Sequence, residues 1–127
     1  MSTISHHSTA TQVLAASELW IAAFNRGDVE ACVSAYQPDA TLWARPMGQF
    51  RGREAIHGFW QPFIASGAGE LEYRNVRIQV VSENEALLAA DWSMNVGQGY
   101  ISMERWVCDA DSNWRIADDD FTVTVRR

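Results

Sequence analysis

Hydrophobic positions recur with two different periods along this chain, and the period changes near residue 70. From Thr9 to Arg26 the spacing is helical. Val13, Leu14, Ser17, Trp20, Ile21 and Phe24 fall on one stripe at about 100° per residue, with Gln12, Ala15, Ala22 and Arg26 opposite. Gly27 supplies a helix stop and Asp28 an N-cap for a second helix, Val29 to about Tyr36, which Pro38 ends. Asp39–Arg45 reads as a short strand, Pro46-Met47-Gly48 as its turn and Gln49–Arg51 as the return. Gly52 opens a third helix. Its apolar residues, Ile56, Phe59, Trp60, Phe63 and Ile64, sit at i, i+3, i+4, i+7 and i+8. Pro62 lies within that stripe and predicts a kink or an early end.

After the loop Ser66–Gly69 the pattern is that of strands. Leu71–Val81 alternates and Glu83-Asn84 turns it. Ala86–Val96 follows, then a tight hairpin at Gly97-Gln98-Gly99, then Tyr100–Asp109. Ala110–Asn113 is a turn, and Trp114–Val125 is the last strand. Helices followed by an antiparallel meander predict an α+β domain over residues 9–127, after a flexible tail at 1–8 where His6 and His7 have no assigned part. A curved, mainly antiparallel sheet wrapped on three N-terminal helices makes a cone with a pocket at its open end.

Composition narrows the partners. The chain has 127 residues, 47% of them apolar, which suits one globular domain. Its six tryptophans, Trp20, Trp43, Trp60, Trp92, Trp106 and Trp114, exceed what so small a core swallows, so some are expected on a cavity wall or subunit contact. The net charge of −6, with scattered basic residues, argues against nucleic acid or an anionic membrane as partner. No apolar run spans a bilayer, and no secretory signal is read. Cys32 and Cys108 read as free thiols in a reducing compartment, so a cytoplasmic location is expected. Neither metal-ligand spacing nor a phosphate loop is present, and no metal or cofactor is expected.

Candidate chemistry concentrates in the late strands. Aspartate is depleted in strands, yet Asp118-Asp119-Asp120 stand together in one. If Phe121 and Val123 face inward, Asp119 does too. A carboxyl among tryptophans is desolvated, its pKa rises, and it becomes a usable acid or base. The competing reading is a charged edge that deters strand pairing. Glu104 shares a face with Tyr100, Ser102, Trp106 and Cys108 and could meet Asp119 across the sheet, or pair with an arginine such as Arg115. Arg45, near the mouth, could hold an anionic group, pair with an inner carboxyl, or sit in solvent. His57 could move a proton or bond a nearby acceptor. Trp20, Trp43, Trp60 and Trp106 are candidate pocket walls, or core.

Three phrases carry a family resemblance. Trp20-Ile-Ala-Ala-Phe-Asn-Arg-Gly-Asp28, Tyr36-Gln-Pro-Asp-Ala-Thr41 and Gly52-Arg-Glu-Ala-Ile56 resemble the SnoaL-like and ketosteroid-isomerase-like branch of the nuclear-transport-factor-two-like superfamily, from Val13 to Val123. The resemblance implies a cone-shaped α+β fold, a deep apolar pocket and a homodimer formed through the sheet. It does not imply one reaction. Trp20 stands where steroid isomerases place an oxyanion tyrosine. Ala44–Gly48 lacks their general-base aspartate, and Glu104 matches their third acidic position. Steroid isomerisation is therefore not expected. Epoxide-hydrolase-like members imply a water held between Asp119 and Asp91, although Leu88, Ala90, Trp92 and Met94 would turn Asp91 away from the pocket.

Three readings follow. The first is a pocket for a hydrophobic aromatic, terpenoid or polyketide-like molecule, with Asp119 and Glu104 as a cofactor-free proton-handling pair. The second is a non-catalytic ligand-binding or dimerisation domain, with Trp92, Trp114, Ile101 and Met103 facing outward. The third is a water-activating hydrolase.

Overall fold

The computed structural model describes residues 3–127, with side chains from His7 onward; His6 is outside the described side chains. Three helices, α1 (Thr3–Asn25), α2 (Val29–Ser34) and α3 (Arg53–Ala65), pack on six strands. The strands are β1 (Tyr36–Arg45), β2 (Gly48–Arg51), β3 (Glu72–Ser82), β4 (Glu85–Met94), β5 (Gly97–Cys108) and β6 (Trp114–Arg126). Their order in the sheet is β2-β1-β6-β5-β4-β3. Every pairing is antiparallel except β1 with β6. The class is the α+β arrangement expected of helices followed by a meander.

Helical backbone reaches back to Thr3, because no glycine or proline interrupts Thr3–Ser8. The corner after α1 forms as its breakers dictate. Gly27 adopts φ 78°, and Asp28 Oδ1 accepts from the Ala31 N–H at 3.1 Å. Asn25 ties the corner to the sheet, donating to the Leu71 carbonyl at 3.0 Å and accepting from its N–H at 2.7 Å.

Three boundaries differ from expectation. Tyr36 does not end α2; it begins β1. Gln37 precedes a proline and is confined to extended backbone, and that conformation spreads back to Tyr36. Pro62 does not stop α3, which continues to Ala65. Gly58 and Pro62 are both exposed, so the carbonyl left free by the ring can reach water. Gly97 and Gly99 are not a turn. Met94 pairs with Gly97, so Asn95-Val96 turns the chain and both glycines lie in β5. A Cβ on Gly99 would come within 1.9 Å of the Thr122 carbonyl oxygen and 2.8 Å of Trp92 Cζ2. Only glycine permits that approach of β6 and of the tryptophan ring.

The core lies between the helices and the concave face of the sheet. Phe24, Tyr36, Leu42, Ile56, Leu88, Trp106 and Ile116 are fully buried there. Among the described residues no helix is long and apolar enough to cross a membrane.

Candidate functional site

A cavity of about 330 Å³ opens at the end of the sheet. Trp20 and Phe24 of α1 and Phe59, Trp60 and Phe63 of α3 form one wall. Leu71, Tyr73, Trp92, Met94, Ile101, Phe121 and Val123 form the other. The rings brace one another. Trp60 lies edge-on to Trp20 at 5.4 Å and to Phe59 at 4.8 Å, and stacks on Phe121 at 5.8 Å. Such packing fixes an apolar shape without a bound molecule.

Two carboxyls interrupt that wall. Glu104 of β5 and Asp119 of β6 are directly opposite in the antiparallel register, 3% and 5% exposed, and both line the cavity. Their supports differ. Tyr73 Oη donates to Glu104 Oε2 at 2.7 Å and Trp106 Nε1 donates to Oε1 at 2.9 Å. Asp119 receives one hydrogen bond, from Tyr36 Oη to Oδ2 at 2.7 Å, and Trp60 Nε1 donates to that phenol oxygen at 3.2 Å. Arg53 in turn holds the Tyr36 carbonyl through Nε at 2.9 Å. The short phrase opening α3 therefore positions the phenol that holds Asp119.

Burial is the largest influence on both acids and raises both pKa values. Two donors offset it at Glu104. At Asp119 the Glu104 charge adds to burial, and the single Tyr36 hydrogen bond opposes them, so Asp119 is held well above the usual aspartate range. The pair titrates as a unit. Glu104 has two hydrogen-bond donors that favour its charged form, and Asp119 has one. Burial, and then the neighbouring carboxylates, push the Tyr36 and Tyr73 phenols well above their ordinary value, so both remain donors. Trp92 Nε1 is the one buried side-chain donor without a partner among the described residues, and its ring is on the cavity wall.

Of the eight candidate site residues, the cavity brings together Asp119, Glu104, Trp20 and Trp60. Trp20 Nε1 donates to the Cys32 carbonyl at 3.1 Å, which ties α1 to α2 and leaves the indole no free donor for a ligand. Trp106 is 1% exposed and stands behind Glu104, supporting it without lining the cavity. Trp43 and Arg45 are on the other face of β1. Arg45 stacks over Trp43 at 4.7 Å and holds Asp120 through Nε and Nη2 at 2.9 and 3.0 Å. His57 is outside the cavity, its Nε2 3.0 Å from Glu30. Glu104 makes no ion pair with Arg115, which holds Asp109 at 3.2 Å.

Asp91 is on the opposite face of β4 from Trp92 and accepts from Asn75 Nδ2 at 2.7 Å. Asp91 and Asp119 cannot share a water, and the epoxide-hydrolase-like reading falls with that geometry. Trp92 and Ile101 face inward, 6% and 3% exposed, and are unavailable as an assembly surface. A register shift between Ile101 and Met103 is the reason for the second: it turns both Ile101 and Glu104 inward and leaves Tyr100 outside. Tyr36 and Tyr73 hold the two carboxyls but are not among the candidates that the sequence offers. The alternation from Leu71 to Tyr73 signals the second; a helix ending at Tyr36 hides the first.

Residues 18–124 match the SnoaL-like domain family. The chain belongs to that family. A comparison with curated proteins returns no match. Solved structures share the fold at low identity. A scytalone dehydratase candidate from Novosphingobium aromaticivorans superposes with a TM-score of 0.85 at 15% identity, over 99% of this chain and 91% of that one. A dehydratase candidate of the NTF2-like family from Streptomyces avermitilis gives 0.79 at 13%, over 94% and 98%. A ketosteroid isomerase-like protein from Erwinia carotovora atroseptica gives 0.72 at 16%, over 86% and 91%.

Proposed function

We propose that this SnoaL-like domain binds a small hydrophobic molecule of aromatic, terpenoid or polyketide type and moves a proton on it without a cofactor, as an isomerase, cyclase or dehydratase does. One observation carries the reading: a buried Asp119 on the wall of an aromatic cavity, directly facing Glu104, its pKa raised by burial and by the Glu104 charge. Two acids with unequal hydrogen-bond support have separated proton affinities, which is the requirement for one to give a proton while the other takes one. Asp119 Oδ2 is engaged by Tyr36, and its Oδ1 makes no hydrogen bond among the described residues. Asp119 is the acid in this reading, Glu104 the base, and Trp92 Nε1 a donor to a ligand oxygen.

A panel of cyclic hydroxyketones that gain conjugation on losing water tests it by absorbance. D119N is expected to lower kcat by about 100-fold or more, the usual size of a general-acid contribution, while a fluorescent ligand still fills the cavity. Full activity in D119N sinks the mechanism. We also propose a cytoplasmic homodimer formed through the outer sheet face, where Trp43, Tyr100 and Met103 are only partly covered. A particle that sediments as a monomer across a dilution series removes the dimer.

A further inference from the structure

The charged side chains at the open end of the cavity are basic. Of the residues on its wall, the two carboxyls are at the buried end, and the charged groups at the exposed end are Arg126 and Arg127. This is against the balance of a chain with net charge −6. Five other arginines, at positions 26, 45, 74, 105 and 115, have a carboxylate within ion-pair distance. Arg126 has none among the described residues. Its Nη2 meets only the thioether sulfur of Met47, at 3.5 Å, and Met47 is itself on the cavity wall. Arg127 is fixed by neutral acceptors: Nη1 donates to the Met94 carbonyl at 2.6 Å and the Gly97 carbonyl at 3.3 Å, and Nη2 to Gln98 Oε1 at 2.7 Å. Its backbone N–H bonds the Val96 carbonyl at 2.9 Å, so the end of β6 is pinned to the β4–β5 turn at the rim.

We infer that the ligand is an amphipathic acid, whose carboxylate is held at the rim by Arg126, with Arg127 beside it, while its apolar body enters between Trp60 and Trp92. The inference rests on the cavity reading above and adds the class of substrate. Guanidinium suits this task because it presents parallel donors to a planar carboxylate. Binding at the rim would also orient the molecule, since burying its charged end among the aromatic rings beside two carboxyls is costly. The end presented to Asp119 is then the uncharged one.

The test uses naphthoate and its neutral isostere, naphthamide, with binding read from tryptophan fluorescence near neutral pH. Wild type is expected to bind naphthoate about tenfold more tightly than the amide, a preference of the size that charge-assisted hydrogen bonds supply and that added salt reduces. R126Q is expected to abolish the preference by weakening naphthoate alone, and R126K to keep part of it. Unchanged circular dichroism confirms that the exposed substitution leaves the fold intact. Equal affinity of the two probes for wild type, or parallel loss of both in R126Q, overturns the inference, as does binding of neither. D119N separates it from the proposed reaction. If turnover depends on Asp119 but the probes bind equally, the acid clamp alone is wrong. If naphthoate is preferred and D119N is fully active, the acid/base reading alone is wrong.

Discussion

The two faces of β5 and β6 use the same residue types to opposite ends. On the outer face Asp118 takes Arg105 Nε at 2.7 Å, and Asp120 takes Arg45 through both oxygens. Those pairs sit partly in water, and their net contribution to stability is small. On the inner face Asp119, between them in sequence, has no cationic partner among the described residues. It has a phenol donor, a second carboxyl opposite and an aromatic wall. Three consecutive aspartates thus become two paired surface charges and one buried carboxyl whose pKa is raised. The difference teaches that partner and solvent, not residue type, assign the role.

The largest expected effect breaks that contrast at the proton. D119N should cost about 100-fold or more in kcat, and D118N less than about threefold, because only the first touches the cavity. A comparable loss in D118N would dissolve the distinction between faces.

Replacing the neighbour sharpens it next. If the protonated form of Asp119 works as the acid, turnover falls as pH rises through its native pKa. E104Q removes the opposing charge that raises that pKa, so the fall should move to lower pH. Glu104 is also the base in the proposed reaction, so the amplitude should drop as well. Y36F has the opposite sign. It removes the hydrogen bond that lowers the Asp119 pKa, and the limb should move to higher pH with kcat changed only a few-fold. Shifts of the same sign in both variants would contradict this electrostatic account.

Stability gives a smaller signal with a fixed direction. The native pKa of Asp119 lies above its unfolded value, so the folded state binds more protons between the two. This group's contribution is therefore complete below the unfolded pKa and is lost as pH rises to the native one. Thermal melts of wild type should decline over that window relative to D119N, which lacks this carboxyl. Parallel curves would mean that the carboxyl is not desolvated.

The smallest effect belongs to the outer face. R45Q breaks a pair whose arginine is half exposed, and should change stability by less than about 1 kcal/mol, with the loss diminishing in salt. A larger loss by denaturant titration would show that Trp43 and Arg45 are covered in solution, as a sheet-to-sheet dimer would cover them.

Much of this protein was legible in its residues because the relevant forces are local. The stripe Ile56 to Ile64, the Gly27-Asp28 corner and the alternation of β4 depend on neighbours a few positions away, and the α+β order follows from them. The inward aim of Asp119 was also readable from Phe121 and Val123. What tertiary structure alone decided is every pairing across long separations. Tyr36 reaches Asp119 over 83 positions and Tyr73 reaches Glu104 over 31. Which face Glu104 shares depends on a shift of register between Ile101 and Met103, and a one-residue slip reverses each side chain beyond it. The same holds for Trp43 and Arg45, which β1 turns outward, and for Trp92, which Gly99 admits to the wall. Period two says that side chains alternate. Only the neighbouring strand says which side is the inside.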